Sequence, residues 1–382
     1  MKKFFSIGLV LTLVMSMVAG CGSPTSAGKT EFFIGGIGPV TGSAAIYGQA
    51  VKNGAQLAVD EINAAGGING AKINYDFQDD EANAEKAINA YNNLKDKGMQ
   101  ILMGTVTSTA CVAVADKTLE DKIFQITPSA SSADCISNGQ AYQVCFTDPN
   151  QGSASAKYIS DKKIATKVAV IYDSSDVYST GIYATFVSKA KDLGVQIVAT
   201  EAFDTSNKTD FSVQLQKAKS AGADLVFLPI YYTEASLILA QASSMNYAPK
   251  FFGCDGLDGI LGVKNFNTKL AENVILLTPF AADATDSLTQ KFVTKYQSSY
   301  NETPNQFAAD AYDAIYIIKA AVEKSNVKPS DSTSAICAAM KKVMTEIKVD
   351  GLTGSAMSWS VTGEVNKDPK AVIIKDGAYK AY

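Results

Sequence analysis

Phe32-Phe33-Ile34-Gly35-Gly36-Ile37-Gly38 is an unbroken apolar run early in the chain. Such a run is typical of a strand that is buried on both faces, as strands of parallel sheets are. After a turn at Pro39 and Gly42, apolar side chains recur at helical spacing from about residue 47 to residue 65. A second strand is predicted at 73–77. A strand, a helix and another strand in succession predict a parallel α/β sheet.

The same alternation continues to residue 128 and then begins again after Asp148-Pro149-Asn150. Before the break, further strands are predicted near 101–103 and 123–126. After it, strands are predicted at 168–172, 195–199, 225–228, 251–253 and 274–278, and the last helices near 286–299, 306–324 and 333–347. The restart predicts two α/β domains rather than one large sheet.

The beginning of the chain has the pattern of an export signal. Lys2 and Lys3 precede a short apolar run that ends at Val18-Ala19-Gly20-Cys21. The run is too short for a spanning helix and predicts a signal peptide at 1–20. Its end resembles a bacterial lipobox, in which the cysteine is lipidated. We therefore expect a lipidated N-terminus and flexible tether at 21–30, and an extracytoplasmic protein anchored to the cell membrane. Ordinary secretion with an incidental cysteine is the alternative.

The composition indicates a globular protein. Hydrophobic residues make up 47% of the chain and charged residues 19%, and the roughly 360 residues after the signal are enough for two domains. Without Lys2 and Lys3, 32 basic residues stand against 38 acidic ones, which argues against nucleic acid as a partner. No second apolar stretch reaches membrane-spanning length.

Two residue types are missing from the sequence. There is no histidine, which excludes Ser-His and Cys-His dyads and imidazole metal ligands. There is also no arginine, so all 34 basic residues are lysines. A buried carboxylate or phosphate therefore has to be bound by lysine, hydroxyls or backbone N–H groups.

Motifs for catalysis, cofactors and metals do not occur at their required spacing. Gly36-x-Gly38 with Gly42 misses the dinucleotide fingerprint, and Ser160-x-x-Lys163 lacks its companion motifs. Asp79-Asp80-Glu81 has oxygen ligands for calcium, but a charged loop is the simpler interpretation. We expect no enzyme activity, cofactor or metal, with a carboxylate-based hydrolase as the enzymatic alternative.

No CxxC pair exists, and disulfide pairing stays open among Cys111, Cys135, Cys145, Cys254 and Cys337.

Hydroxyl side chains are concentrated in two loops that follow neighbouring strands, at 104–109 and 127–132. Helix capping explains one such loop, but two together can surround a carboxylate with hydroxyl and backbone donors. In the second half, Tyr231-Tyr232 and Cys254-Asp255-Gly256 occupy equivalent positions. Asp255 can pair with an ammonium group there, or simply cap a helix.

Several segments, in this order, carry a family resemblance: 38–42, Tyr47-Gly48, Gly54-Ala55, 60–70, Asp79-Asp80, 127–130, 148–152 and 351–354. The chain resembles the type I periplasmic-binding-protein fold, in particular the leucine/isoleucine/valine-binding branch of ABC-transporter solute receptors. The resemblance implies two doubly wound parallel-sheet lobes joined by three crossovers, which fall near 148–150, 277–279 and 356–359. Lobe 1 is then 31–148 with 279–356, and lobe 2 is 149–278 with 357–382.

The same resemblance implies the binding residues. Ser108 and Ser131 bind the α-carboxylate of an amino acid, with help from the backbone at Ser129 and Ala130. Asp255 pairs with the α-ammonium. The aromatic residues of the site are Tyr178 and Tyr231 on lobe 2 and Tyr47 beside the ligand side chain. The chain departs from the family in two places, since Asp255 replaces a longer glutamate and Thr107 replaces a disulfide cysteine of some relatives.

The function expected from the resemblance is delivery of a small amino acid to the permease of an ABC importer by a monomeric, membrane-tethered receptor. The ligand is a branched-chain or other neutral or aromatic amino acid, and the sequence leaves its identity open. The alternative is a sensor or receptor of the same fold that binds an amide, an aromatic acid or a short peptide.

Overall fold

The computed structural model describes residues 29–382. The predicted signal peptide at 1–20, the lipidation site Cys21 and nearly all of the tether therefore lie outside the described residues. No helix within 29–382 combines the length and apolar character that crossing a membrane requires.

The first sheet has five parallel strands in the order β2-β1-β3-β4-β5. The strands are β1 (Glu31–Gly38), β2 (Lys72–Asp79), β3 (Ile101–Gly104), β4 (Phe124–Thr127) and β5 (Ala141–Gln143). The helices between them are α1 (Ala45–Ala64), α2 (Ala84–Asp96) and α3 (Ser108–Asp121). Strands β1 to β4 confirm the predicted alternation. Strand β5 was not predicted, because three residues are too few to show a period.

The second sheet has seven strands in the order β12-β11-β10-β9-β8-β6-β7. They are β6 (Lys167–Asp173), β7 (Gln196–Phe203), β8 (Leu225–Leu228), β9 (Lys250–Gly253), β10 (Ile275–Thr278), β11 (Lys370–Lys375) and β12 (Ala378–Ala381). The accompanying helices are α4 (Asp148–Asp161), α5 (Val177–Asp192), α6 (Ser212–Ser220) and α7 (Tyr232–Ser244). These elements confirm a second doubly wound lobe.

One edge of the second sheet departs from the predicted parallel arrangement. Strand β11 pairs antiparallel with both β10 and β12. Asp376 and Gly377 form the two-residue turn between β11 and β12, with φ of 52° and 72°. An Asp-Gly pair with both φ angles positive is the preferred connection of a tight hairpin, so the chain ends in a hairpin added to a parallel sheet.

The last three helices return to the first sheet. They are α8 (Ser287–Tyr300), α9 (Gln306–Ser325) and α10 (Thr333–Met344), and α9 packs along α1. The two helices approach closely at Gly54, where a Cβ atom would lie 2.0 Å from the carbonyl oxygen of Ala308. This packing brings residues from opposite ends of the chain to one side of lobe 1.

The segment before β11 runs between the lobes. Trp359 Nε1 donates a hydrogen bond to Gln143 O at 2.8 Å. Lys367 Nζ lies 3.3 Å from Asp310 Oδ1 of α9, with both side chains buried, and donates to Thr353 Oγ1 at 2.6 Å. Residues of the predicted lobe 2 therefore contact lobe 1 here, and the boundaries of the two lobes stay predictions.

Candidate ligand-binding site

The candidate site lies where the carboxyl ends of the two sheets meet. In each sheet the strand order reverses beside the first strand of the lobe, between β1 and β3 and between β6 and β8. Ligands of doubly wound folds bind at such switch points. The cavity here has a volume of about 10 Å³, which is room for about one water molecule. Its wall consists of Tyr47, Val106, Thr107, Ser108, Ser129, Tyr178, Tyr231, Asp255, Gly256 and Phe307.

The N-terminus of α3 forms one end of this cavity. Thr107 precedes the helix, and its buried hydroxyl has no hydrogen-bond partner among the described residues. Ser108 Oγ accepts hydrogen bonds from the N–H groups of Ser131 and Ser132, both at 3.1 Å, so its own proton is free to be donated. The first N–H groups of a helix have no partner within it and attract anions. This end therefore offers hydroxyl and backbone donors to a carboxylate.

The loop after β4 packs against the N-terminus of α3 and the loop before it. Ser129 Oγ donates to a backbone carbonyl of the neighbouring loop at 2.8 Å. Ala130 N–H donates to Thr127 Oγ1 and Ala130 O accepts from Gln143 Nε2, both at 2.9 Å. Both backbone groups of Ala130 are therefore used within lobe 1. The buried hydroxyl of Ser131 has no hydrogen-bond partner within residues 29–382.

Asp255 forms the opposite end of the cavity, directly after β9. Its Oδ1 accepts a hydrogen bond from Tyr178 OH at 2.8 Å, and its N–H donates to Gln151 Oε1 at 3.1 Å. Burial raises the pKa of the Asp255 carboxyl to about 7, while the hydrogen bond from Tyr178 opposes the rise. A buried carboxylate gains most from an opposite charge nearby, so this end suits an ammonium group.

Aromatic rings form the wall between the two ends. Tyr178 and Tyr231 stack with their ring centroids 4.9 Å apart. Tyr47 meets Tyr231 edge-on at 5.5 Å and packs on Phe307 at 4.2 Å. The first two distances lie in the preferred range of aromatic pairs, and the third is closer. The wall suits a neutral, apolar group.

Hydrogen bonds join the two lobes directly around the cavity. Tyr47 OH donates to Gly256 O, and Thr109 Oγ1 donates to Asp176 Oδ1 at 2.8 Å. The lobes are therefore closed over the site, and they have to separate to admit a molecule larger than water.

The sequence model of the family described as "Periplasmic binding protein" matches residues 31–378. The chain belongs to the periplasmic binding protein family. The Leu/Ile/Val-binding protein BraC3 of Rhizobium johnstonii is 30% identical over 86% of this chain and 88% of its own. The leucine-, isoleucine-, valine-, threonine- and alanine-binding protein of Pseudomonas aeruginosa is 28% identical over 81% of this chain and 82% of its own.

A solved structure gives the same result. The branched-chain amino acid transporter substrate binding protein LivJ of Streptococcus pneumoniae, in complex with isoleucine, superposes with a TM-score of 0.83 at 30% identity. The match covers 92% of this chain and 98% of LivJ. The family and the type I fold of two lobes are thus confirmed.

Most of the predicted binding residues come together in this periplasmic binding protein. Those that line the cavity are Tyr47, Ser108, Ser129, Tyr178, Tyr231 and Asp255. Ala130 and Ser131 are not part of its wall, although the N–H group of Ser131 bonds to Ser108. Whether each of the eight contacts a ligand stays a prediction.

Four lining residues were not among the predicted binding residues: Val106, Thr107, Gly256 and Phe307. Phe307 lies in the first turn of α9, and only the packing of α9 on α1 brings it beside Tyr47. Gly256 follows Asp255, and a Cβ atom there would lie 2.7 Å from Tyr178 OH. Val106 is the apolar member of the hydroxyl-rich loop. The loop patterns of the sequence indicated the neighbours of Val106 and Gly256, but nothing in the sequence indicated Phe307.

Asp148 is a further buried acid that was not predicted. It begins α4, and neither carboxylate oxygen has a hydrogen-bond partner among the described residues. Burial raises its pKa well above the usual range, and the charge of Asp255 adds to this rise. Two buried carboxyl groups therefore lie in this region, and a cation bound there would favour their ionised forms.

Other predicted features have structural roles. Asp79 accepts hydrogen bonds from Val40 N–H at 2.9 Å and from Thr41 Oγ1 at 2.5 Å, so it holds the turn after β1. Within residues 29–382, no group of three or more carboxylates and thiols is placed to hold a metal ion. The five cysteines of this part of the chain are buried and free.

Proposed function

We propose that this protein is the extracytoplasmic solute-binding component of an ABC importer and that it binds a small neutral amino acid between its lobes. One observation carries the proposal: the open N-terminus of α3 and the buried carboxylate of Asp255 lie at opposite ends of one cavity. An α-amino acid has a carboxylate for the first and an ammonium for the second.

The two ends of the ligand are held by different groups. The Ser108 hydroxyl and the first N–H groups of α3 donate to the α-carboxylate, and Ser131 adds its unpartnered hydroxyl. The α-ammonium lies against Asp255. Tyr178 OH, which bonds to Asp255 Oδ1 in the closed cavity, moves aside or shares that carboxylate with the ammonium.

The side chain of the ligand lies against the rings of Tyr47, Tyr231 and Phe307. Relatives named for binding leucine, isoleucine and valine support a branched-chain or similar neutral amino acid. Because the closed cavity is small, the ligand enters when the lobes are apart and stabilises the closed form by contacting both. The permease then recognises the closed form.

The protein acts as a monomer tethered by a lipid on Cys21. The lipid anchor is supported by the Val18-Ala19-Gly20-Cys21 sequence and by the Ser/Gly/Thr-containing segment that follows it. The tether keeps the receptor close to the permease.

A thermal-shift screen of the chain without residues 1–20 tests the proposal. The ligands are the common L-amino acids, their amides and benzoate. We expect the melting temperature to rise with neutral aliphatic L-amino acids, because a ligand that binds only the folded state stabilises it. Equal stabilisation by amides or by benzoate would contradict amino-acid binding and favour a receptor for that ligand class.

A further inference from the structure

Asp255, the buried acid of the cavity, is hydrogen-bonded at three points by side chains of three helices. Its N–H donates to Gln151 Oε1 of α4 at 3.1 Å, and its Oδ1 accepts from Tyr178 OH of α5 at 2.8 Å. Both helices belong to lobe 2, as Asp255 does. The third partner is Gln306, whose Nε2 donates to the carbonyl oxygen of Asp255 at 2.9 Å. Gln306 begins α9, which packs along α1 of lobe 1. The bond from Gln306 therefore links Asp255 to the other lobe.

Gln306 makes a second hydrogen bond to the same loop of lobe 2. Its backbone N–H donates to Asp258 Oδ2 at 3.0 Å. The first N–H groups of a helix have no partner within it, and a carboxylate there also lies at the positive end of the helix dipole. Asp258 N–H in turn donates to the carbonyl oxygen of Asp255 at 2.9 Å, which makes residues 255–258 one tight turn. Gln306 thus holds both ends of this turn.

Helix capping does not account for the side chain of Gln306. The N-terminus of α9 is already capped by Asn305, whose side chain accepts from Ala308 N–H at 3.2 Å. Gln306 is only 1% exposed, and a buried amide is costly unless it is hydrogen-bonded. Its Nε2 finds the carbonyl oxygen of Asp255 across the gap between the lobes. Such a bond forms when the lobes close and breaks when they separate.

We infer that Gln306 is a positioning residue, which aligns Asp255 for the ammonium group of the ligand as the lobes close. The inference rests on the proposed amino-acid function. Gln151 and Tyr178 move with Asp255 because they share its lobe, whereas Gln306 reaches it only on closure. Phe307, the next residue of α9, lines the cavity. The same movement of α9 therefore brings an aromatic ring to the ligand side chain and fixes the acid that meets its ammonium.

Calorimetric titration of the chain without residues 1–20 tests the inference. The probes are L-leucine, L-isoleucine and L-valine, each with its 2-hydroxy analogue, which has no ammonium. Gln306→Met keeps the length of the side chain but removes its donor, and should weaken amino-acid binding by about fivefold. The preference for the amino acid over its hydroxy analogue should fall by at least about threefold, because the alignment of Asp255 matters only to a cation. Gln297→Met is the control and should change neither quantity, since the exposed Gln297 bonds to Thr303 within lobe 1.

Hydrogen–deuterium exchange of the ligand-free proteins gives a second measurement, and thermal melts show whether each variant is folded. Exchange in residues 255–258 should be at least about threefold faster in Gln306→Met than in the unmodified chain. Unchanged exchange there would overturn the inference while leaving the proposed function intact. Equal weakening of amino acid and hydroxy analogue would also overturn it, since Gln306 would then act on closure alone. If the unmodified chain bound none of the three amino acids, the proposed function would fail and the inference with it.

Discussion

Replacing Asp255 with asparagine should weaken ligand binding strongly and, at neutral to alkaline pH, make the ligand-free protein more stable. Asparagine keeps the shape of the side chain and an acceptor for Tyr178 OH, which lies 2.8 Å away. It removes the charge that an ammonium needs. Weaker binding together with higher stability is expected where a buried charge binds the ligand but destabilises the ligand-free fold.

The size of the stability effect follows from the pKa of this carboxyl, which burial raises from 3.8 to about 7. An acid with a raised pKa binds its proton more tightly when folded, so its contribution to stability is lost as pH rises from 3.8 through about 7. At about 1.36 kcal/mol per pH unit, the loss is roughly 4 kcal/mol above this range. Asp255→Asn should therefore raise the free energy of unfolding by up to roughly 4 kcal/mol at about pH 8 and change it little at about pH 3.

Urea unfolding of both proteins at the two pH values measures the stability effect, and calorimetric titration with the ligand from the screen measures binding. Binding should weaken by roughly 3–5 kcal/mol, the cost of removing one partner of a buried ion pair. Asp161→Asn, at an exposed position of α4, is the control and should change neither quantity. Unchanged affinity in Asp255→Asn would remove this residue from the ammonium site, and lower stability at pH 8 would show a structural role instead.

Four other substitutions, one of them a control, test separate parts of the protein. Ser108→Ala should weaken ligand binding by about 1–3 kcal/mol in calorimetry, because a hydrogen bond to a charged carboxylate is lost; unchanged affinity would exclude this hydroxyl from the site. Lys367→Met should lower the free energy of unfolding by about 3–5 kcal/mol in urea, because it leaves Asp310 as an unpaired buried charge. Lys157→Met, which breaks an exposed ion pair with Asp161, is its control and should lower the free energy of unfolding by less than about 1 kcal/mol. An equal loss of stability in both variants would contradict the argument that the Lys367–Asp310 pair matters because it is buried. Cys21→Ala should release folded, binding-competent protein from the membrane fraction, whereas retention there would rule out the lipid anchor.

The fold could be predicted from the sequence wherever local periodicity determines it. The helix predicted at 47–65 is Ala45–Ala64, and the strand predicted at 274–278 is Ile275–Thr278. The terminal hairpin was not predicted, because the position of β11 depends on pairing with the distant strand β10. Its Asp376-Gly377 turn was the available signal.

The candidate site could be predicted only in part, for a physical reason. Hydroxyl-rich loops and Asp255 stand at the ends of predicted strands, where ligand groups belong, and the family resemblance assigned their roles. Phe307 acquires its surroundings from the packing of α9 on α1. Such contacts leave no local period in the sequence, so only the folded structure reveals the wall of the cavity.

The decisive measurement compares one ligand with and without its ammonium group. The leading amino acid from the screen and its 2-hydroxy analogue, which keeps the carboxylate and the side chain, are titrated calorimetrically into the protein at about pH 8. We predict that the amino acid binds and that the hydroxy acid binds weaker by at least about 100-fold, because the Asp255 carboxylate then has no cation. Equal affinity for the two would contradict the proposal that this receptor recognises an amino acid through the buried carboxylate of Asp255.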